Sequence, residues 1–431
     1  MLSLSERQSF IHQLCLPKPK KKRSTVASRN KELEKTGERL KCFGMTFRIL
    51  PDDAQQMTIN QTIGCHRLMA NLYLSARQDA YLIDKTTLSV AVFKKEVFPV
   101  LKTERPYLKG VDKFALETAC EQVDEAFNRF FKKLGGYPKF KKKHASKQSY
   151  TTKYTNNNIK VVVKDATVFV QVPKLGLIPL FPKKTNSERI AGILDGSLSI
   201  KTATVTRRAT GYTVSLSVQQ VVDIPEAVDL TALDLSQQQA CVGIDLGLKT
   251  FAVTHDGHVF DEYHHQAYIK NAEKKLAKAQ RNLARKKPGS NNYEKQRAVV
   301  AKLHAHVANQ RKDFHHKLST RLADTYDIIV VEDLNIRGMI KNRKLSKAIA
   351  NAGWSQFTRF LAYKQDWRGH LLVKIGRFFA SSKLCADCGH KYVELTLDER
   401  HWACSHCGTV HDRDHNASRN IRTEGLRLIF A

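Results

Sequence analysis

The sequence predicts a multidomain α+β chain. A helical block and a small antiparallel β-barrel precede an α/β sheet domain that carries a cysteine-bearing insertion. Three observations predict this. At 431 residues the chain is too long for one ordinary domain. Its hydrophobic pattern switches from helical spacing over 52–134 to short strands over 159–218, and then to apolar strands separated by long helices. Four cysteines in two close pairs stand near the C-terminal end.

Composition narrows the partners. There are 72 Lys and Arg against 41 Asp and Glu, a formal charge of +31 spread along most of the chain. Such a field draws polyanions, and nucleic acid is the expected partner. Hydrophobic residues make up 42%, enough for buried cores, yet no apolar run approaches the ~20 residues of a membrane span. No signal peptide is expected, so the nine cysteines are read as reduced. Cys15, Cys42, Cys65, Cys120 and Cys241 show no pairing pattern and read as mostly buried thiols. The compartment expected is a cytoplasm, at the nucleoid.

In chain order, residues 1–40 read as a basic, flexible arm. Its cluster at 19–23 resembles a nuclear localisation signal but reads better as an RNA-contacting arm. A strand over Phe43–Leu50, closed by Pro51, precedes a helical domain over 52–136. Asp52 caps the first helix, while Ala115, Ala119, Val123 and Phe127 mark a later amphipathic face. Next comes YPKFKKKHASKQSYTTKYT over 137–155, where cations alternate with aromatics. Lys139 and Lys141 are candidate phosphate contacts, and Tyr150 a candidate stacking residue. The strands of 137–222, joined by 41–51, read as the barrel, and 223–239 as a linker.

From residue 240 the chain reads as an α/β domain, 240–384 and 408–431, around an insertion at 385–407. CVGIDLG is an apolar strand that carries Asp245, and FAVTH returns as a hairpin, the opening of a ribonuclease-H-like sheet. Residues 267–320 read as a basic helical hairpin bridging a nucleic-acid backbone, with Arg281 and Arg285 as candidate contacts. DIIVVEDL is a second apolar strand, ending on Glu332. A carboxylate on a central strand is costly unless it is paired or holds a metal. A helix is expected over 354–373, with Trp354, Phe357, Leu361 and Trp367 packed inward.

Cys385 and Cys388, then fifteen residues, then Cys404 and Cys407 give the spacing of a four-thiolate zinc ribbon, with Gly389 and Gly408 closing the turns. Four closed ligands make a structural site. Seven residues past Cys407 stands Asp414, which alone reads equally as a metal ligand or as a helix N-cap. Asp245, Glu332 and Asp414 are far apart in sequence, but consecutive elements of one sheet could gather them. Three carboxylates would suit magnesium, as an ion pair that activates water for phosphodiester hydrolysis, with manganese able to substitute.

The blocks GIDLGLKTFAV, VVEDLNIRGM, AGWSQF, SSKLCADCG and CSHCGTVHDRDHNASRNI follow one another as they do in the transposon-encoded TnpB nucleases. VDKFAL, YPKFKKKHASKQSY and VPKLGLIPL are also similar to that family, so the resemblance covers about 43–422. The resemblance implies an RNA-guided DNA endonuclease of an insertion sequence. A guide (omega, or right-end) RNA would direct it to double-stranded DNA beside a short adjacent motif. The implied fold is a wedge barrel, a helical recognition domain, and a RuvC nuclease domain interrupted by a zinc-bearing target-nucleic-acid-binding insert. A monomer is expected rather than a dimer. Asp245, Glu332 and Asp414 match the three RuvC acids, and D-x-N-A favours Asp414 over Asp412. Lys113 and Thr155 match positions expected near the adjacent motif, with Glu117 a departure there and the arm at 1–40 another. A compact type V CRISPR effector resembles this family closely. A guide-directed DNA-binding regulator or transposition accessory is the alternative without cleavage.

Overall fold

The computed structural model describes residues 25–143, 147–181, 187–232, 234, 240–261, 267–396 and 399–431. The cluster at 19–23 and Cys15 lie outside the described residues. Two compact units divide the chain, one up to Asp223 and one from Ile224. Among the described residues, no helix is long and apolar enough to cross a membrane.

In the first unit, helix α1 (Val26–Leu33) is followed by strand β1 (Glu38–Ile49). The strand thus begins earlier than the sequence pattern suggests, inside the segment read as an arm. Pro51 ends it, and Asp52 opens the 32-residue helix α2 (Asp53–Asp84) with a reciprocal cap to Gln55. Helix α3 (Lys113–Phe131) is capped by Asp112. It packs along α2 through Met69, Tyr73, Leu116, Ala119, Cys120 and Val123.

The expected barrel does not close. Strands β2 (Ser149–Lys153), β3 (Lys160–Lys164), β4 (Thr167–Val172) and β5 (Gly176–Pro179) are followed by helix α4 (Ser187–Leu194), then β6 (Ser199–Arg208) and β7 (Gly211–Asp223). Together with β1 they form two open antiparallel sheets, β1-β7-β6-β2 and β3-β4-β5. One bridge, Ile49 to Leu180, joins them. Asn156 and Asn157, both at positive φ, turn the chain out of β2, so its ladder does not continue into β3. Met45, Phe47, Val170, Ile178, Val205 and Leu216 share a core between the sheets. Facing sheets bury the same alternate residues that a barrel buries, so the pattern alone does not separate the two architectures.

The second unit is built on a five-stranded sheet of order β10-β9-β8-β11-β12. Its strands are β8 (Cys241–Asp245), β9 (Ala252–Thr254), β10 (Val259–Phe260), β11 (Ile328–Glu332) and β12 (Leu371–Ile375). β8, β11 and β12 are parallel, and β9 returns antiparallel to β8. Helices α5 (Ala267–Ala284) and α6 (Asn291–Thr325) form the expected hairpin. Helix α7 (Trp354–Asp366) is shorter than predicted. The chain turns at Gly369, φ +77°, where a Cβ would run into the Glu226 carbonyl, and 371–375 becomes strand. The predicted linker is partly docked, with Val228 and Leu230 packed on the sheet. Cys65, Cys120 and Cys241 are buried and Cys42 is exposed.

Strand alternation divides the sheet's contacts. Val242, Ile244, Ile329 and Val331 face α6 and α7, where Phe314, Leu318, Phe357 and Leu361 pack. Cys241, Ile328 and Val330 face the other side, against Ile421 of the last helix, α8 (Arg413–Phe430). α8 lies so close to the sheet that Gly243 has no room for a side chain, because a Cβ there would meet the Ser418 carbonyl and the Arg422 backbone nitrogen. Gly425 likewise meets Val330. Gly243→Ala is therefore expected to force α8 outward and cost about 1–3 kcal/mol in denaturant unfolding. An unchanged midpoint and slope would contradict this packing.

Candidate metal and acid centre

The same alternation places the acids. Asp245 follows Cys241 and Gly243 on the α8 face, and Glu332 follows Ile328 and Val330 on that face. Strands β8 and β11 pair in parallel with Val331 opposite Ile244, so the two carboxylates leave adjacent strand ends side by side. The carboxyl end of a parallel sheet is where open α/β folds bind ligands. Helix α8 brings the third acid. Strand β13 (His401–Ala403) pairs with β14 (Val410–Asp412), which runs directly into α8. The N-cap role belongs to Asp412, which accepts from His415 N at 2.9 Å. Asp414 therefore sits in the first turn, one turn before the Ser418 backbone that crosses Gly243. Helix N-termini favour a carboxylate there.

The electrostatics record the convergence. Burial pushes the Asp245 carboxyl up to about 8, and the nearby Glu332 and Asp414 charges push the same way. Arg413 and the Leu246 N–H pull it back. Burial also raises Glu332, against the Ser381 hydroxyl that donates to it. Arg400 Nη1 donates to both Asp414 oxygens, at 2.8 and 2.9 Å. Asp333, next to Glu332, is turned away and paired with Arg377 at 2.6 Å. Sequence reasoning missed Arg400 and Ser381. Neither belongs to a spacing rule, since each reaches its acid through the fold.

The four cysteines are gathered more tightly. Cys385 and Cys407 stand 3.6 Å apart, as do Cys388 and Cys404, and all four sulfurs lie within 4.8 Å of one another. That is too far for disulfides, whose S–S bond is ~2.05 Å. It is close to the roughly 3.8 Å edge of a tetrahedron with ~2.3 Å metal–sulfur bonds. The three acids are not drawn together within 4.8 Å as the sulfurs are. Gly389 and Gly408, at φ +73° and +74°, let their N–H groups return to the Cys385 and Cys404 carbonyls, both at 2.9 Å. Buried His411 puts Nε2 3.0 Å from Cys385 Sγ, beside Asp387.

The first cysteine turn is also fastened to α8. Ala386 N donates to Asn416 Oδ1 at 2.9 Å, and Asn416 and Asn420 donate to the Leu384 carbonyl at 2.7 Å. Asn420 also reaches the carbonyl of Ser381, and Arg419 pairs with Asp387 at 2.6 Å. The cysteine module thus holds both the helix that carries Asp414 and the serine that contacts Glu332.

The other candidate residues lie in the first unit and on α5. Lys113 is exposed at the start of α3 and Thr155 half-buried after β2, on elements linked by the Thr118 hydroxyl and the Thr151 carbonyl. Glu117 is buried and ion-paired to Lys94. Lys139, Arg281 and Arg285 are exposed. Lys141 is half-buried, its backbone N–H held by Asn71 at 2.8 Å. Tyr150 contradicts its expected stacking role. It is 1% exposed in the core between the sheets, because the alternation of β2 turns it inward.

Asp245 sets a pH test. Its pKa rises on folding from 3.8 to about 8, so between those pH values the folded chain keeps a proton that the unfolded chain releases. Stability therefore falls as pH rises through that window. In metal-free buffer, Asp245→Asn is expected to be the more stable chain at pH 8 by about 1–3 kcal/mol, with the gap closing toward pH 5. Denaturant titrations at several pH values read this, and a pH-independent difference would contradict it.

Residues 218–343 match the family described as OrfB_IS605, probable transposase, and 354–421 the Cas12f1-like TNB domain. Residues 43–84 match the OrfB_IS605 helix-turn-helix domain, a stretch that here is the end of β1 and the single helix α2. A Streptomyces pristinaespiralis protein named "Putative RNA-guided DNA endonuclease" is 34% identical over 382 residues, 88% of each chain. An Escherichia coli K12 protein given the same description, InsQ, is 28% identical over 91% of this chain and 94% of its own. The protein in the Cas12f1–sgRNA–target DNA complex shares the fold at 12% identity and TM-score 0.50, covering 89% of this chain and 99% of that one. The two acid-bearing strands, Asp414 and the cysteine module lie within the matched regions, and the chain belongs to the TnpB-like family of IS605 OrfB proteins.

Proposed function

We propose that this chain is an RNA-guided DNA endonuclease of an insertion-sequence element. Its second unit would be the RuvC-like nuclease with the zinc-ribbon insert, and its first unit the wedge and helical recognition parts. The observation that carries the proposal is the convergence of Asp245, Glu332 and Asp414 at one end of a parallel sheet, where their charges oppose one another. A cluster that repels itself is matched to a divalent cation, and hard carboxylate oxygens suit magnesium or manganese. When bound, such ions lower the pKa of water and balance charge on a phosphodiester.

The chain's own residues supply the rest. Asp245 and Glu332 fix two ligand directions from a rigid sheet. Asp414 adds a third from α8, and Arg400 neutralises it beforehand. Glu332 also borders a cavity of about 370 Å³ on the α7 side of the sheet, where Arg359 and Lys374 are exposed. The four sulfurs would hold zinc structurally. Guide pairing would supply sequence recognition, with the protein holding the duplex by its backbone. The exposed cations Lys113, Lys139, Arg281 and Arg285 are offered as backbone contacts, with Lys113 and Thr155 near the adjacent motif.

Asp245→Ala is expected to lower cleavage of a guide-matched DNA on the order of a thousand-fold while leaving co-purifying RNA at the parent's level. Cutting at the parent's rate would remove Asp245 from the mechanism. RNA co-purified equally with both chains, but no cutting by either, would favour a guide-directed binder. Cys404→Ser is expected to lose bound zinc and, through the Asn416 and Asn420 contacts, to speed amide exchange in the first turns of α8. Retained zinc would exclude the ribbon assignment, and exchange confined to 384–408 would exclude the coupling to α8.

A further inference from the structure

At one end of the α2–α3 pair the aromatic core stays open to solvent. Phe127, Phe130, Phe131, Tyr137, Tyr81 and Leu82 line a cavity of about 630 Å³. That lies within the roughly 300–1,000 Å³ of small-ligand sites, and it can take a planar ring with its sugar. Phe131 is 68% exposed, Tyr81 59% and Tyr137 47%. A contiguous apolar patch of this kind on a chain so highly charged marks a binding surface.

The rings are braced. Phe127 stacks on Phe131 with centroids 6.2 Å apart, and Tyr137 meets Phe127 and Phe130 edge-on at 5.5 and 5.3 Å. Gln78 donates to the Tyr137 hydroxyl at 3.3 Å. The Arg77 guanidinium lies 4.3 Å over Phe127 and is itself paired with Asp124. Past Phe131 the chain reverses at Lys133, φ 57°, whose N–H returns to the Phe130 carbonyl. The ring faces are therefore fixed before anything binds.

Around the rings stand the exposed cations Lys85, Arg129, Lys132, Lys133 and Lys139. Charge decides between the occupants of such a patch. A second copy would bring the same positive rim against itself. A single-stranded nucleic acid offers a flat ring and an anion at every step, and rings interleaved with cations are how proteins hold one. Gln78 and Asp79, also on the cavity wall, can address the ring edge.

We propose that this cavity is a stacking site for an unpaired nucleobase, with the base against Phe131, Tyr81 and Tyr137 and the adjoining phosphates on Lys132, Lys133 and Lys139. The proposal rests on the reading of the chain as a nucleic-acid binder but not on cleavage. The strand can be an unpaired segment of RNA or a displaced DNA strand.

The test uses the full chain, freed of co-purified RNA, with short uridine and thymidine oligonucleotides that each carry one 2-aminopurine. Binding to the parent chain is expected to quench the fluorophore. Phe131→Ala/Tyr137→Ala is expected to abolish quenching and weaken binding about tenfold or more, Phe131→Trp to restore both, and duplex binding to stay unchanged. Lys132→Gln/Lys133→Gln is expected to lower the salt dependence of single-strand affinity by roughly one to two charges. A loss confined to the uridine or to the thymidine strand supports the site and identifies its source. Quenching and affinity kept by the ring variant overturn the site while leaving nucleic-acid binding intact. A parent chain that binds neither strand overturns the wider reading as well. A parent dimer that the ring variant converts to monomer, with strand binding unchanged, overturns the site in favour of self-association.

Discussion

Everything at the acid centre depends on how closely α8 approaches the sheet. Its backbone at Ser418 and Arg422 occupies the space a side chain would take on Gly243, and Gly425 seats against Val330. Two residues without side chains, one on β8 and one on α8, let a helix lie nearly backbone to backbone on two parallel strands. That contact fixes where the first turn of α8 ends up, and so brings the Asp414 charge to bear on Asp245. A looser contact would leave three separate acids, each with an ordinary environment.

The cysteine module completes this arrangement. It is joined to α8 by buried asparagine side chains that bind backbone carbonyls and an amide, contacts with fixed direction and little freedom. Hydrogen bonds to buried backbone groups are expensive to leave unmade, so the module and the helix act as one body. The same segment brings Ser381 to Glu332 and Arg400 to Asp414. An insertion that looks separate in sequence is therefore part of the scaffold of the acids. A four-thiolate metal, if bound there, stiffens the proposed nuclease centre without touching it.

The first unit shows a different economy. Its β part buries two sheet faces against each other and its helical part closes along most of α2 and α3. At one end of those helices the packing stops short, with aromatic rings left facing water amid cations. Fixed rings are costly to expose, so the patch is better understood as a surface held ready than as an incomplete core.

The amino-acid sequence determined what depends on neighbours along the chain. The cysteine spacing sets two tight turns, the apolar runs around Asp245 and Glu332 mark central strands, and Asp52 starts its helix, because each follows from local geometry and burial. Excess positive charge is likewise additive and needs no fold. Tertiary structure alone decided the rest. Tyr150 lies in an aromatic, basic stretch, yet strand alternation sends it into the core. Asp412 and Asp414 stand two residues apart; the D-x-N-A resemblance favours the second as the acid, but only the start of α8 gives the first its role as the cap. Arg400 and Ser381 meet acids many residues away through packing that no spacing records. The two open sheets and a barrel share one alternating pattern, and only the ladder of hydrogen bonds between distant strands separates them.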